Sequence, residues 1–420
     1  MQLRKFQVDA LDAVGALNRC AFYYGMGLGK TFMGSEKAVR ADTPRILIVC
    51  QKSKIQDWID HMNEHYGDIH VLNLRQAKQR ELFCSDAAMR MAGVINYDIL
   101  SKNARYFPKA GMAVIYDESS MLKNPTAART KAAMALSCDS LVLLSGTPVG
   151  GKYEELWSQA RMLGWPITKK EFYERFIVEQ VNYLPGVPMP IKTVVGYRNV
   201  PELKSMLRKY GALFKRTDEV IDLPGEVDTD IKVPDSAEYR SMKTNGFYRT
   251  KSDNTVITAN GPLHRMLLLR QLSSSFSEEK LAAFRDLVES TRERLIVFYN
   301  FEHEWELIRT EAAAAGRGFS YVNGRGSELY DYNNKAGSIT AIQYQAGAMG
   351  LNLQKANQTV YFSPTLSYDL YAQSRARTRR MGQDRTCFYW HLVTRGLEER
   401  IYSTLKKRED YTLELFNNGI

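Results

Sequence analysis

Eight residues near the N-terminus constrain this chain most: Tyr24-Gly25-Met26-Gly27-Leu28-Gly29-Lys30-Thr31. Three glycines alternate with apolar residues, and the Lys-Thr pair opens a stretch, Phe32 to Arg40, that reads as helix. Glycine alone permits the close approach and positive φ angles that wrap backbone N–H groups around a phosphate chain. A helix that follows adds the partial positive charge of its N-terminus. In such a loop Lys30 reaches the β- and γ-phosphates and the Thr31 hydroxyl sits on Mg²⁺. The spacing G-x-x-x-x-G-K-[ST] is met except at its first position, where Tyr24 stands and glycine comes one residue late. A glycine-rich turn before a core helix is the plainer alternative, so the remainder of the chain decides between them.

That remainder has the pattern of an α/β protein. Arg45–Cys50, Gly93–Tyr97, Ala113–Asp117 and Ser140–Ser145 are short apolar runs bounded by polar or turn residues, the mark of buried strands. A short strand at Cys20–Tyr24 feeds the glycine loop, and Ile55 to His65 reads as a helix with Trp58 and Ile59 inward. Continuous apolar strands alternating with helices predict a parallel sheet covered on both faces, with ligands beyond its carboxyl ends. A second such block has its clearest strands at 294–299, 339–343 and 358–362. With 420 residues, two domains of about 200 are expected. We place them at 1–224, with a mainly helical insertion over about 151–215, and at 225–420. Five scattered cysteines without a C-x-x-C pair suit a reducing cytosol rather than a disulfide framework or a zinc site. Neither an apolar run of membrane length nor a secretory h-region is present, so the cytoplasm is the expected location. The net charge of +10 points to a polyanionic partner, foremost a nucleic acid.

Two further stretches carry chemistry. Val114-Ile115-Tyr116-Asp117-Glu118 sets paired carboxylates at the end of a buried strand, the Walker B position. Asp117 there holds Mg²⁺ largely through water, and Glu118 orients or deprotonates the attacking water. An acidic loop capping the next helix is the bland alternative. Near the C-terminus, Gln373 to Gln383 contains Arg375, Arg377, Arg379 and Arg380. Arg377 and Arg380, three apart, are expected on one helix face, where guanidinium groups can neutralise charge on a transferring γ-phosphate. Read alone, that helix also fits a solvated or RNA-binding face.

Taken in order, these motifs resemble those of the Swi/Snf-type ATPases of helicase superfamily two, over nearly the whole chain. Leu3-Arg4-Lys5-Phe6-Gln7 resembles the Q motif, and 25–31 resembles motif I with its glycine in this displaced position. Residues 48–53 with Trp58 resemble motif Ia, 94–97 motif Ib, 117–124 motif II, and 144–148 motif III followed by Glu155-Leu156-Trp157. Phe214-Lys215-Arg216-Thr217 and Leu268–Leu272 look like the family's R-R-T-K and L-R-Q segments, and 296–298, 346–353 and the Arg helix like motifs IV, V and VI. The resemblance implies two RecA-like lobes, each a mostly parallel sheet flanked by helices, with ATP and Mg²⁺ in the cleft between them. It implies ATP-binding by Arg4, Gln7, Gly25, Met26, Gly27, Leu28, Gly29, Lys30, Thr31, Gly350 and Gln383. Thr31 and Asp117 are the implied metal-facing residues, and Ser145, Gly146, Thr147 and Gln373 the implied coupling residues. For the nucleic acid it points to Lys52, Ser53, Asn96, Tyr97, Lys123 and Asn300, touching phosphate without regard to base sequence.

The implied activity is a DNA-dependent ATPase of helicase type that moves along duplex, forked or branched DNA, as a monomer. A duplex translocase that displaces bound proteins without separating strands is the alternative, and a non-hydrolysing nucleic-acid clamp the minor one. In size the chain resembles compact forms carried by phages and prophages, which would put it in the bacterial host's cytoplasm. Two departures stand out. Tyr23-Tyr24 replaces an acidic residue before motif I, and Ser120 stands where the family often has His. The Pro/Gly-rich stretch at 182–197 is expected to form a surface hairpin, which in a sharper reading acts as a pin at a fork. His61, His65 and His70 have no metal-ligand spacing and read as a solvated helix and turn.

Overall fold

The computed structural model describes residues 2–183, 190–251, 253–346 and 351–416, with the side chains of 413, 415 and 416 left aside. It divides into two units, Met1–Val220 with Asp410–Ile420, and Ile221–Glu409. Each is α/β, built on its own seven-stranded sheet.

The first unit holds β1 (Arg19–Tyr24), β2 (Arg45–Cys50), β3 (His70–Asn73), β4 (Met91–Asn96), β5 (Met112–Asp117) and β6 (Ser140–Ser145). The hairpin strands β7 (Ile177–Asn182) and β8 (Ile191–Tyr197) follow, then β9 (Ala212–Lys215). Sheet order is β3-β4-β2-β5-β6-β1-β9, and every neighbouring pair is parallel. Leu47 and Val49 share one core cluster with Val114, Tyr116, Leu141 and Leu143. Ile46 and Ile48, pointing the other way, are buried as well. Both faces are therefore covered, which is why β2, β4 and β6 read as unbroken apolar runs.

Two expectations need correction here. The stretch 151–215 is not helical to its end: Ala212–Lys215 is the edge strand β9, hydrogen-bonded to β1 in parallel register. Its four residues are too few to show a period, and only Ala212 and Phe214 turn inward. His61 is not solvated but 9% exposed, on the inner face of Ile55–His65 with Ile55, Trp58 and Met62. The expected hairpin is present in its two arms, β7 and β8, antiparallel with Asn182 opposite Ile191. Its tip, 184–189, lies outside the described residues.

The second unit comprises β10 (Glu226–Val233), the small pair β11 (Phe247–Arg249) and β12 (Val256–Thr258), β13 (Leu295–Tyr299), β14 (Phe319–Asn323), β15 (Gly326–Glu328), β16 (Ile339–Gln343), β17 (Gln358–Tyr361) and β18 (Cys387–Thr394). Its main sheet runs β10-β18-β17-β13-β16-β14-β15, parallel except for the final β14–β15 pair. Lys280 and Glu398, almost fully buried, make an ion pair of 2.6 Å inside this unit. The carboxylate is further held by the Thr394 amide and hydroxyl, so neither charge is stranded.

Candidate nucleotide site of the first unit and arginine segment of the second

Parallel strands deliver the residues singled out above to one edge of the first sheet. β1 ends at Tyr24, β5 at Asp117 and β6 at Ser145, and these three strands are successive neighbours in the order β5-β6-β1. The loop after β1 turns into the helix Lys30–Arg40 through Gly29, whose φ of 71° is left-handed. A Cβ there would also collide with the Gln7 amide nitrogen.

Gln7 is 5% exposed and braces the loop. Its Oε1 accepts from the Arg4 amide at 2.9 Å, and its Nε2 donates to the Leu28 carbonyl at 3.1 Å. The displaced first glycine has its own cause. β9 leads directly into Thr217, and a Cβ on residue 25 would meet the Thr217 hydroxyl and lie 2.7 Å from its backbone nitrogen. The Gly25 amide donates to the Lys215 carbonyl at 2.8 Å, and the Thr217 hydroxyl to the Met26 carbonyl at 3.0 Å. The segment 215–217 thus forms one wall of the loop.

Lys30 Nζ donates to the carbonyls of Tyr24, at 2.9 Å, and Gly25, at 3.2 Å. Gly146 closes the opposite side: a Cβ there would lie 3.2 Å from Met26 Cγ and 3.4 Å from Lys30 Nζ. The Ser145–Thr147 turn is held by the Ser145 hydroxyl, which accepts from the Thr147 amide at 3.1 Å.

Asp117 is clamped from several directions. Oδ2 accepts from the Trp58 indole at 2.8 Å, Oδ1 from the Glu118 amide at 3.0 Å, and its backbone carbonyl from the Tyr97 hydroxyl at 2.7 Å. Burial raises its carboxyl pKa, while the Trp58 hydrogen bond and the Lys30 charge pull it back. Glu118 has φ 52° and ψ 56°, a left-handed backbone that costs a non-glycine residue roughly 1–2 kcal/mol. Strain of this kind concentrates at functional positions. Hard oxygen donors from a carboxylate and a hydroxyl, beside a lysine, suit Mg²⁺, which keeps several waters and takes few protein ligands. Asp117 and Thr31 are the residues here that fit it.

Behind the loop, Ser35 of the helix Lys30–Arg40 shares hydrogen bonds with His61 Nε2, at 2.9 Å, and the Tyr66 hydroxyl, at 3.1 Å. Burial and the neighbouring His65 push the His61 imidazole down to about 4, so it is neutral at physiological pH. Phe32 meets the His61 ring edge-on at 4.9 Å.

Several positions the resemblance assigned to nucleic acid have other work in this structure. Tyr97 is 2% exposed, stacked near Tyr116 and bonded to Asp117, because β4 runs straight into the helix Tyr97–Asn103 and turns its first side chain inward. Its side chain is a support for Asp117 and offers no surface to a phosphate. Asn96 is 6% exposed. Lys123 pairs with Glu155 at 3.3 Å. Asn300 donates through Nδ2 to Ser363 and Pro364, fastening two loops of the second unit. Lys52 and Ser53 are exposed, in the turn after β2.

In the second unit the arginine segment separates into two pairs. Arg375, in the helix Tyr368–Thr378, binds Asp228 and Glu226 of β10, and its guanidinium lies 3.9 Å from the centre of the Tyr389 ring. Arg379 donates to the Pro224 carbonyl at 2.9 Å. Those two fasten the segment to β10. Arg377 is in the last helical turn, while Arg380 lies beyond the helix end, so the expected shared helix face is corrected to a helix end and the turn after it. Arg380 donates to the Leu351 carbonyl at 3.2 Å and is half-buried, which lowers its pKa. Gln373 is 9% exposed. Gln383, expected at ATP, is a buried brace whose Nε2 donates to the carbonyls of Gln354, Ala356 and Thr378. Gly350 lies outside the described residues.

Two residues given no site role from the sequence complete the first unit's site. Thr217 is one, and Gln159 is another. With no exposed surface, Gln159 receives the hydroxyls of Tyr23 and Ser119 and donates to the Pro148 carbonyl. The one hint in the sequence is a polar residue on a short helix, Leu156–Met162, that is otherwise largely buried.

Among the described residues no helix is long and apolar enough to cross a membrane, and no group of three or more His, Cys, Asp or Glu could hold a metal ion. The SWI/SNF-related matrix-associated actin-dependent regulator of chromatin subfamily A-like protein 1 of Xenopus tropicalis is 24% identical over 413 residues, covering 94% of this chain and 43% of that protein. A Mycoplasma genitalium protein named as an ATP-dependent helicase is 20% identical over 451 residues, covering 97% of this chain and 42% of its own. The chain therefore spans less than half the length of these relatives. Among solved structures, the Sulfolobus solfataricus SWI2/SNF2 ATPase core in complex with dsDNA aligns with a TM-score of 0.46 and 19% identity, over 98% of this chain and 92% of that one. The SNF2-related domain matches residues 18–275, more than half of the sequence, and the chain belongs to that family.

Proposed function

We propose that this chain is a DNA-dependent ATPase of helicase type that couples hydrolysis to movement along DNA. The observation that carries the reading is the clamped Asp117 beside Lys30 at the carboxyl edge of one parallel sheet, with the strained Glu118 next in sequence. Membership of the SNF2-related family, and relatives named as a chromatin regulator and an ATP-dependent helicase, support it.

In this reading the loop 25–29 receives the phosphates through backbone N–H groups, and Lys30 turns from the carbonyls of Tyr24 and Gly25 to the β- and γ-phosphates. That exchange costs the lysine two neutral acceptors and gives it an anionic one, a stronger bond. Mg²⁺, held by Thr31 and by Asp117 largely through water, would supply charge neutralisation at the phosphates. Glu118 orients a water and takes its proton. Arg377 and Arg380 neutralise charge on the γ-phosphate, and the turn of Ser145, Gly146 and Thr147, whose Gly146 lies against Met26 and Lys30, reports its departure. A basic chain of net charge +10, with Lys52 and Ser53 exposed after β2, suits a phosphate backbone read without base contacts.

The test is ATP hydrolysis with and without duplex DNA, for wild type and Lys30→Ala. Hydrolysis that DNA stimulates and Lys30→Ala abolishes is the expected result; equal rates in the two proteins would overturn the reading. Nucleotide-independent DNA binding without hydrolysis would mark a clamp instead. Forked-duplex unwinding set beside triplex displacement separates a helicase from a translocase that leaves the strands paired.

A further inference from the structure

One buried amide joins three of the segments just described. Oε1 of Gln159 accepts from the Tyr23 hydroxyl at 2.9 Å and from the Ser119 hydroxyl at 2.8 Å, and Nε2 donates to the Pro148 carbonyl at 2.7 Å. Tyr23 belongs to the strand that enters the phosphate loop, Ser119 follows the Asp117-Glu118 pair, and Pro148 ends the Ser145–Thr147 turn. We propose that Gln159 is a positioning residue that ties the geometry of Glu118 to the 145–148 turn. The proposal rests on the ATPase reading above.

The amide has one orientation. The Pro148 carbonyl can only accept, so the nitrogen must face it and the oxygen is left to the two hydroxyls; a flip would set oxygen against oxygen. Ser119 is the residue after Glu118, whose left-handed backbone stores strain. A hydrogen bond that holds Ser119 fixes the peptide on the far side of that strained residue and stops it relaxing to a more favourable φ. Glu118 is thereby held in its direction, and displacement of the 145–148 turn reaches it through two hydrogen bonds and one rigid plane. Motif II has Ser120, 6% exposed, where the family often carries a histidine; in this chain the link from the acidic pair to motif III runs through the preceding Ser119 and Gln159 instead. Tyr23, one of the two tyrosines that replace the usual acid before motif I, supplies the third attachment.

The test compares Gln159→Met and Ser119→Ala with Thr43→Val. The last removes a buried hydroxyl that donates to the Arg45 carbonyl at 2.9 Å, at the amino end of β2 and so at the opposite end of the sheet from the acidic pair. All three are measured for thermal midpoint and for kcat and KM of DNA-stimulated ATP hydrolysis. The expected result is a fall of about tenfold or more in kcat for the first two, the scale on which small misplacements act, with KM for ATP within about twofold. Thr43→Val is expected to lower the thermal midpoint comparably and to keep kcat. Ser119→Ala leaves the amide and its other two partners in place, so it serves if Gln159→Met does not fold. Unchanged kcat in folded Ser119→Ala, or an equal loss in Thr43→Val, overturns the proposal while leaving the ATPase reading intact. A wild type that fails to hydrolyse ATP overturns that reading, and this one with it.

Discussion

The indole N–H of Trp58 donates to Oδ2 of Asp117 at 2.8 Å, linking residues 59 positions apart in the chain. The bond joins the inner face of the helix Ile55–His65 to the end of β5 and leaves the Asp117 side chain little freedom. Its electrical consequence is as important, because it stabilises the charged form of a carboxyl that burial pushes toward neutrality.

Trp58→Phe keeps most of the ring volume and removes the donor. The Asp117 carboxyl pKa, already raised, rises further, so protonation of the acid begins at higher pH. The acid limb of the kcat/KM–pH profile is expected to move upward relative to wild type. A hydrogen bond to a charged group contributes about 1.5–3 kcal/mol, enough for the displacement to be resolved in the profile. Coincident profiles would show that Asp117 does not govern the acid limb.

Gly25→Ala tests the wall built by residues 215–217. The added methyl meets the Thr217 hydroxyl and its backbone nitrogen, so the loop or β9 must shift. Nucleotide affinity, measured by fluorescent-nucleotide titration, is expected to fall at least about tenfold, since a displacement near 1 Å is enough for such losses. Adding Thr217→Ala is not expected to restore it, because the backbone nitrogen stays 2.7 Å from the new carbon. Full rescue would place the obstruction in the hydroxyl alone.

The two kinds of arginine near the C-terminus separate by experiment. Arg375→Ala breaks the ion pairs with Asp228 and Glu226 and uncovers the Tyr389 ring. Its cost to stability is expected at about 1–3 kcal/mol, discounted because both carboxylates are well exposed, and urea denaturation measures it. Arg377→Ala is expected to lower kcat by roughly 10³ or more, the range known for guanidinium groups at a transferring phosphoryl. A reversed pattern would exchange their roles.

Much of the first unit's architecture is legible in the sequence because fully buried parallel strands have no polar face to interrupt them. β2, β5 and β6 match their expected runs within one residue at either end. β10 is not legible in that way. It is an edge strand paired to β18 alone, and Glu226, Asp228 and Asp230 alternate along it to meet Arg375, Lys232 and His391. A charged edge reads as a loop until its partners are known. Separation in the chain likewise hides the contact made by Thr217, although that residue lies in the R-R-T-K-like segment, and hides Gln159 altogether. Thr217 meets Met26 across 191 positions, and Gln159 meets Tyr23 across 136, so no local spacing records either contact. Tyr97 shows the opposite failure. Its place in a motif suggested a surface role, but where a side chain points after a strand end depends on the turn, and this one goes directly into helix.

That difference between Lys52 and Tyr97 has a measurable consequence for DNA binding. A protein that neutralises phosphates releases counterions, so the logarithm of affinity falls with the logarithm of salt by about 0.9 for each phosphate on duplex DNA. Lys52 is exposed in the turn after β2, and Lys52→Ala is expected to weaken binding at low salt and to make that slope shallower by about 0.9. Tyr97 is buried with its hydroxyl on the Asp117 carbonyl, so Tyr97→Phe is expected to leave the salt slope unchanged and to lower ATP turnover. Fluorescence anisotropy of a labelled duplex over a salt series reads both slopes. A shallower slope for Tyr97→Phe, or an unaltered one for Lys52→Ala, would move the phosphate contact away from the turn after β2.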